Sequence, residues 1–484
     1  MPDDMKAHLG LEWDAFRATS VYSDETKQFR SPAEPSSADA VEIFLRAGRD
    51  AFAAFFLCTK DKEYTMREKD AAGLFQTYAV TLPPSAQRTD YYFRLQYADG
   101  CAYYTKYGYF TEYQAEGWFS VIPDFQTPDW AKGAVMYQIF PDRFCRGDAA
   151  NDVQTNEYTY LGEMAEQVED WHALPEKMDT HRFYGGDLQG VLNKLDYLRE
   201  LGIEAIYFNP LFVSPSNHKY DAQDYEHIDP HLGRIVREEG RVLQEGESNL
   251  SASLYTARTT HAENLCASDE LFAELVRAAH ARGIRILIDG VFNHCGSFHK
   301  WMDREGIYRA EEKGAYAHPD SPYHDYFYWN EDGSYEGWWG HENHPKLNEE
   351  GCAELKNKIL KIGKKWLSAP YHADGWRVDV AADLGKTAAF NHRFWAEFRA
   401  AIKSVSKEKL LLAEHYGDAS PWLEGDQWDS IMNYDAFMEP VTWFLTGVSK
   451  HSTERREELY NNADAFWGTM VYQMGRLPIQ ALQT

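Results

Sequence analysis

The sequence predicts an α/β protein whose main domain is a (β/α)8 barrel, the TIM-barrel architecture, preceded by an all-β sandwich domain. Up to about residue 122, short alternating segments such as residues 41–45 and 91–97 are typical of strands with one buried face. From about residue 133, apolar strands alternate with amphipathic helices, which is the pattern of a parallel sheet built from βα units. The predicted domains are residues 1–122 and 133–484.

A linker is predicted between them at residues 123–132, where Pro123 and Pro128 favour extended backbone. A helix with Val191, Leu195 and Leu198 on one face follows the first barrel strand, and further helices and strands alternate after it. An inserted loop domain is predicted at about residues 294–350. The predicted barrel strands are residues 134–140, 203–208, 284–289, 374–380, 410–414 and 430–434.

Composition and charge narrow the classes of partner. The chain of 484 residues carries a formal net charge of -27, which would repel nucleic acid and anionic membranes, so a neutral ligand fits better. The first residues lack the basic and apolar regions of a secretory leader, and no apolar run is long enough to span a membrane. The six cysteines follow no metal or disulfide spacing. We therefore expect a soluble, cytoplasmic protein with free thiols.

The candidate chemistry lies at the ends of two predicted strands. Arg377 and Asp379 are two residues apart, so their side chains leave the same face of a strand. An adjacent cation lowers the pKa of a carboxyl group and keeps it ionised, as a nucleophile requires. Glu414 ends the next strand after an apolar run, which raises the expected pKa of its carboxyl group and suits a general acid. A structural ion pair and a buried structural glutamate are the alternative interpretations.

Two carboxyl groups at neighbouring strand ends are able to face one gap, and a separation of roughly 5 Å is the arrangement of a retaining glycosidase. Asp289 and Asn293 share one face of the segment that ends the third strand, and His294 follows them. A neutral imidazole there would hydrogen-bond a sugar hydroxyl, and Tyr220 would stack under a sugar ring. A structural histidine and a packed aromatic side chain are the alternatives.

A second acidic group suggests a metal site. Asp148, Asn151 and Asp152 lie within five residues after the first strand, and Asp187 lies in a later glycine-rich turn. Carboxylate and amide oxygens are hard ligands that suit Ca²⁺. The alternative is an acidic turn without a metal.

Six segments together resemble the α-amylase superfamily, glycoside hydrolase family 13, and within it the neopullulanase, cyclomaltodextrinase and maltogenic amylase group. DGVFNH, GWRVDVAAD and AEHYG are similar to the first three signature regions of that family, and HPKLN is similar to the MPKLN sequence that marks the group. YQIFPDRF and NHKYDAQDYEHIDP add to the likeness. The matching segments are residues 289–294, 375–383, 413–417, 344–348, 137–144 and 217–230.

The resemblance implies roles for individual residues. It implies a covalent glycosyl-enzyme formed on Asp379, with Glu414 as general acid/base. It implies substrate-binding positions at Arg377, His294, Tyr220, Asp289 and Asn293. It implies a starch-binding-like amino-terminal module that takes part in a homodimer. It also implies a calcium site at Asp148, Asn151, Asp152, Gly185 and Asp187.

Two features depart from the family pattern. Where the group usually has an asparagine ligand to calcium, this sequence has Arg146, whose guanidinium cannot ligate a metal. The fourth family signature, which supplies a third catalytic aspartate and a histidine, is expected after residue 484. We therefore expect that the carboxy-terminal barrel strands and a further domain are missing from this chain.

The sequence favours a retaining hydrolase of α-1,4 glucosidic bonds, with α-1,6 bonds as a second target, in short or cyclic maltodextrins or pullulan. Two other functions stay open at this point. One is a non-catalytic carbohydrate-binding relative, which the expected truncation favours and the presence of both Asp379 and Glu414 opposes. The other is a transglycosylase, which product analysis would distinguish.

Overall fold

The computed structural model describes residues 13–98, 100–310, 313–450 and 452–484. The chain divides into two compact units, one of residues 1–127 and 415–484 and the other of residues 128–414. The first division falls inside the predicted linker. Residues 1–12, on which the expectation about a leader rests, lie outside the described residues. Within the described part of the chain, no helix combines the length and apolarity that a membrane span requires.

The amino-terminal part of the first unit is built from antiparallel strands. One sheet has the order β1-β2-β6-β5, and the other has the order β4-β3-β7-β8-β9, with β10 paired to β7. Ile43 and Leu45 of one sheet and Leu57 and Phe93 of the other lie in one fully buried core, because alternate residues point inward. The elements are helix α1 (Trp13–Ser20) and strands β1 (Arg30–Ser31), β2 (Val41–Gly48), β3 (Ala54–Thr59), β4 (Glu63–Thr65), β5 (Arg67–Ala72), β6 (Phe75–Leu82), β7 (Thr89–Tyr97), β8 (Gly100–Thr105), β9 (Gly108–Phe110) and β10 (Phe119–Val121).

A parallel sheet forms the centre of the second unit. Its strands run in the order β11-β16-β19-β20-β21. Every residue of β16, β20 and β21 is buried, as expected for strands covered on both faces. These strands are β11 (Met136–Ile139), β16 (Ala205–Phe208), β19 (Arg285–Gly290), β20 (Gly375–Val378) and β21 (Leu410–Ala413). Short strands outside this sheet are β12 (Thr159–Tyr160), β13 (Glu163–Met164), β14 (Glu166–Gln167), β15 (Arg182–Phe183), β17 (Phe212–Val213) and β18 (Asp224–Ile228).

Helices connect the parallel strands. The first of them buries Val191, Leu195 and Leu198, the three residues that define its predicted apolar face. Residues 294–350 carry 3₁₀ turns at His324–Tyr326 and Trp338–Gly340. The helices of this unit are α2 (Leu188–Glu200), α3 (Ser253–Thr260), α4 (Ala262–His280), α5 (Ala353–Leu367) and α6 (Ala388–Lys403).

Residues 415–484 group with the amino-terminal strands, whereas the sequence predicted one barrel domain that continues to residue 484. Strand β22 (Ser430–Ile431) lies in the last predicted strand, but a π-helical turn, Tyr434–Met438, follows it at once. Helices α7 (Glu439–Thr446), α8 (Ala463–Gly475) and α9 (Ile479–Gln483) complete this part. Tyr472 of α8 stacks on Tyr107 with ring centroids 5.9 Å apart, a contact that joins these helices to the amino-terminal strands.

Candidate active site

The register of the parallel sheet places three carboxylate residues at neighbouring strand ends. Asp289 of β19 is paired directly with Arg377 of β20. Val378 is paired with Ala413, so Asp379 and Glu414 follow the paired residues on their two strands. The backbone N–H of Glu414 donates to the carbonyl of Val378 at 2.9 Å, which holds the two strand ends together. Functional residues of parallel barrels lie at this carboxyl end of the strands.

Arg377 lies at the centre of this group, and only 3% of its side chain is exposed. Its Nη1 donates to Asp379 Oδ1 at 2.8 Å and to Asp289 Oδ2 at 3.0 Å. Its Nη2 forms an ion pair with Glu414 Oε1 at 2.9 Å. One guanidinium therefore fixes three carboxyl groups, and the predicted pairing of Arg377 with Asp379 is present in the structure.

The turn after β20 aims the backbone at Glu414. Val380 adopts a left-handed conformation with φ of 37°, which is costly for a β-branched residue. In this conformation its N–H donates to Glu414 Oε2 at 3.0 Å. Both Glu414 oxygens are thus held, one by Arg377 and one by the backbone next to Asp379.

Burial dominates the electrostatics of the group. It raises the pKa of Asp379 well above its usual range, and the charges of Asp289 and Glu414 add to this effect while Arg377 opposes it. Burial likewise raises the pKa of Asp289 to about 6, again against the effect of Arg377. The sequence predicted a lowered pKa for Asp379. The direction is opposite because desolvation of the buried carboxyl group, together with the charges of Asp289 and Glu414, outweighs the effect of Arg377.

Asp379 and Glu414 are also hydrogen-bonded to each other through their side chains, and this bond raises the pKa of Asp379 further. A hydrogen bond between two carboxyl groups needs a proton on one of them. The repulsion between two adjacent buried carboxylates favours binding of a proton to one of them.

Tyr220 lies at this site, as the sequence predicted, but its hydroxyl is engaged there. It donates to Asp289 Oδ2 at 3.1 Å, and the hydroxyl of Tyr207 donates to the same oxygen at 2.8 Å. Tyr207 was not among the predicted site residues. Tyr207 is the one residue with a hydroxyl group in the apolar strand β16 and lies next to its last residue. This was the signal that could have found it.

His294 and Asn293 are buried beside one another, and a hydrogen bond of 3.2 Å joins Asn293 Nδ2 and His294 Nδ1. Burial lowers the pKa of His294 well below its usual range, and the nearby charge of Lys346 adds to this, so the imidazole is neutral as predicted. Trp338 stacks on the His294 ring with centroids 4.9 Å apart.

Lys346 contacts Asn293 and Asp383 contacts Trp338, and neither Lys346 nor Asp383 was predicted as a site residue. Lys346 Nζ donates to Asn293 Oδ1 at 2.5 Å and to the Asp383 carbonyl at 2.8 Å. The Asp383 carboxylate accepts from the indole N–H of Trp338 at 2.9 Å. Both residues lie in segments that resemble family motifs, which was the available signal.

The structure also brings together the residues predicted to bind calcium. Asp187 accepts hydrogen bonds from the backbone N–H groups of Gly190 at 2.6 Å and Asp148 at 2.7 Å. Asp152 forms an ion pair with Arg146. Among the described residues, no group of three or more His, Cys, Asp or Glu side chains is arranged to hold a metal ion. Calcium therefore stays a prediction.

Comparison with known proteins identifies the family. The model of the α-amylase catalytic domain matches residues 138–239 and 263–465. The chain belongs to this family, and the resemblance seen in the motifs is confirmed. The match also supports a TIM-barrel-type fold for the parallel sheet and its helices.

Three relatives place the chain within the family. It is 32% identical over 440 residues to neopullulanase 2 of Thermoactinomyces vulgaris, covering 86% of this chain and 64% of that protein. It is 36% identical over 356 residues to an amylopullulanase of Thermoanaerobacter thermohydrosulfuricus, covering 67% of this chain and 21% of that protein. A solved cyclomaltodextrinase matches with a TM-score of 0.59 at 28% identity, over 96% of this chain and 70% of its own. The chain thus spans about a fifth of the amylopullulanase and less than two thirds of the neopullulanase.

Proposed function

We propose that this chain carries the catalytic centre of a retaining α-glucan hydrolase. The observation that supports this most directly is the single guanidinium of Arg377, which holds Asp379 and Glu414 at adjacent strand ends within hydrogen-bonding reach of each other. Inverting glycosidases separate their two carboxyl groups by roughly 6.5–9.5 Å to admit a water. A hydrogen-bonded pair leaves no such gap and fits a nucleophile beside a general acid.

In the first step, a carboxylate oxygen of Asp379 attacks the anomeric carbon. The bond to the leaving glucan breaks as Glu414 gives its proton to the leaving oxygen. Arg377 remains bonded to Asp379 and keeps its oxygen aimed at the anomeric carbon.

In the second step, water replaces the leaving glucan. Glu414, now ionised, takes a proton from that water, and the remaining hydroxide displaces Asp379 from the anomeric carbon. Two displacements restore the original α configuration. The neutral His294 donates to or accepts from a sugar hydroxyl without adding charge to the site.

The relatives support the substrate class. Proteins named cyclomaltodextrinase and neopullulanase are similar to this chain over more than four fifths of its length. We propose α-1,4 glucosidic bonds of short or cyclic maltodextrins or of pullulan as substrates, with α-1,6 bonds as a second target. A homodimer formed through a starch-binding-like amino-terminal module, and a cytoplasmic location, stay predictions.

The test is Asp379→Asn in the full chain, assayed on maltooligosaccharides and β-cyclodextrin. Loss of the nucleophile should lower kcat by about 10⁴-fold or more. The matched control is Asp196→Asn, because Asp196 is 58% exposed on helix α2 and should leave activity unchanged. Hydrolysis that survives Asp379→Asn would contradict the proposal.

The stereochemistry gives an independent check. Proton NMR of the first products should show the α anomer, and release of the β anomer would rule out a retaining mechanism. Product analysis by mass at high maltodextrin concentration measures how much of the glycosyl-enzyme is captured by sugar rather than water. Longer and shorter glucans formed in equal numbers, with no gain of reducing ends, would identify a transglycosylase.

A further inference from the structure

The acidic cluster formed by Asp148, Asn151, Asp152 and Asp187 is separate in sequence from the catalytic strand ends, and the proposed mechanism does not use it. Asp187 is fully buried, and its carboxylate is held by backbone donors from two turns. Burial raises its pKa, and these hydrogen bonds oppose that shift. The negative charge of Asp187 is therefore stabilised by N–H groups of the chain itself.

Asp152 is stabilised in a different way. Only 4% of its side chain is exposed, and its Oδ2 is shared between the guanidinium of Arg146 and the side-chain amide of Gln167, the latter at 2.7 Å. Burial raises the pKa of Asp152, whereas Arg146 opposes this effect most strongly among its neighbours. Asp152 thus has a cation from its own chain.

The space around this ion pair is closely filled. Gly185 has a φ of 80°, and a Cβ atom there would lie 2.5 Å from Asp152 Oδ1 and 3.4 Å from Arg146 Nε. The guanidinium therefore lies against both Gly185 and Asp152. The guanidinium thus occupies space beside two residues of the predicted calcium site.

Two buried oxygens in this cluster, Asn151 Oδ1 and Asp152 Oδ1, have no hydrogen-bond partner among the residues that the structure describes. They are hard donors of the kind that Ca²⁺ prefers. A metal could use them only in competition with Arg146, whose guanidinium is tethered to the same loop. Such a tethered group acts at a high effective concentration, whereas the ion must be taken from solution.

We propose that Arg146 is the resident cation of this cluster, so that the fold around it is held without a divalent metal, and that removal of the guanidinium opens a Ca²⁺ site. The site would use oxygens of Asn151 and Asp152 together with the Gly185 backbone. The predicted calcium site is then latent in this chain, and a single residue controls it.

Thermal unfolding in CaCl₂, MgCl₂ or excess EGTA tests this without any assay of activity, so the outcome is independent of the proposed function. The midpoint of the unmodified chain should be the same in all three solutions. Arg146→Asn should have a lower midpoint in EGTA and should regain several degrees with CaCl₂ in a saturable manner, because a ligand of the folded state alone stabilises it.

Three controls isolate the role of the guanidinium. Arg146→Lys keeps a cation and should remain insensitive to calcium. Arg146→Asn combined with Asp152→Asn should lose the calcium response. Arg199→Asn removes an arginine that is 53% exposed and ion-paired to Asp196, and it should not create a response.

Two results would overturn the inference. One is a midpoint of the unmodified chain that rises with CaCl₂, or calcium binding to it in isothermal titration calorimetry. The other is an Arg146→Asn variant whose midpoint is unchanged in EGTA and does not respond to calcium. If Arg146→Asn fails to fold in EGTA, recovery of soluble folded chain in CaCl₂ supports the inference. If this variant fails to fold in both solutions, a calcium-sensitive Arg146→Lys variant contradicts the inference.

Discussion

The second unit contains two clusters in which an arginine meets buried carboxyl groups, one around Arg377 and one around Arg146. Arg377 is almost fully buried and contacts Asp289, Asp379 and Glu414. Arg146 keeps 40% of its side chain exposed and pairs with one aspartate. Each cluster has three carboxyl groups and one arginine, but only Arg377 contacts all three carboxyl groups of its cluster.

The difference lies in what else the carboxyl groups bond. In the cluster around Arg146, Asp187 is satisfied by backbone N–H groups, which suits a structural role. Burial raises the pKa of carboxyl groups in both clusters. Backbone N–H groups oppose this rise at Asp187, whereas the charges of Asp289 and Glu414 add to it at Asp379. Carboxyl groups whose pKa is raised by neighbouring carboxyl groups are typical of reacting sites. Carboxyl groups with complete hydrogen bonding are typical of structural sites.

The largest expected effect within this comparison is that of Glu414→Gln. Removal of the general acid should lower kcat on maltodextrins by about 10²–10⁴-fold. The loss should be much smaller for α-glucosyl fluoride. Fluoride leaves without a proton, so the first step on this substrate does not need a general acid. Initial rates on the two substrates measure this, and equal losses on both would show that Glu414 is not the acid.

Arg377→Met should be next in size. It leaves three buried carboxyl groups without their cation, and breaking a buried ion pair in this way costs about 3–5 kcal/mol of unfolding free energy. Arg146→Met should cost less, because solvent screens its ion pair. Urea unfolding at pH 7 compares the two variants. An equal loss of unfolding free energy in both would contradict the difference between the clusters.

Glu349 extends the comparison to a buried carboxyl group whose neighbouring cation is a lysine, Lys346. It is 1% exposed, and burial raises its pKa to about 8, although the charge of Lys346 opposes the shift. Because the folded state holds this proton more tightly than the unfolded chain does, unfolding free energy falls as pH rises from about 4.5 towards 8.

Glu349→Gln should remove this contribution and flatten the pH dependence, by at most about 1.4 kcal/mol for each pH unit. Urea unfolding of both chains between pH 5 and pH 8 gives the two slopes. A variant whose slope equals that of the unmodified chain would show that Glu349 ionises normally in the fold.

The smallest expected effect is that of Asp187→Ala. Asp187 is the residue before helix α2, and its carboxylate accepts from Gly190 in the first turn of the helix. Loss of such a cap costs about 1–2 kcal/mol of unfolding free energy. Asp196→Ala, on the exposed face of the same helix, should cost less than half as much in thermal or urea unfolding, and kcat should change with neither variant.

Much of the architecture could be predicted from the sequence. The apolar runs Ala205–Phe208 and Leu410–Ala413 are buried on both faces. The alternation of strands and helices along the sequence is enough to predict this burial. The course of residues 415–484 could not be predicted in this way, because a short apolar run such as residues 430–434 has the same pattern in a strand and in a helix.

The sequence by itself determined the family, the carboxyl pair Asp379 and Glu414, and the companion Arg377, because these depend on residue types at fixed spacings along single strands. The tertiary structure alone decided the raised pKa of Asp379 and the contacts of Tyr207, Lys346 and Arg146. A pKa depends on burial and on charges from other strands, and neither is encoded in local spacing. The same reason applies to Arg146. From the sequence it is only a residue that cannot ligate calcium, whereas the folded chain shows that it forms an ion pair with Asp152.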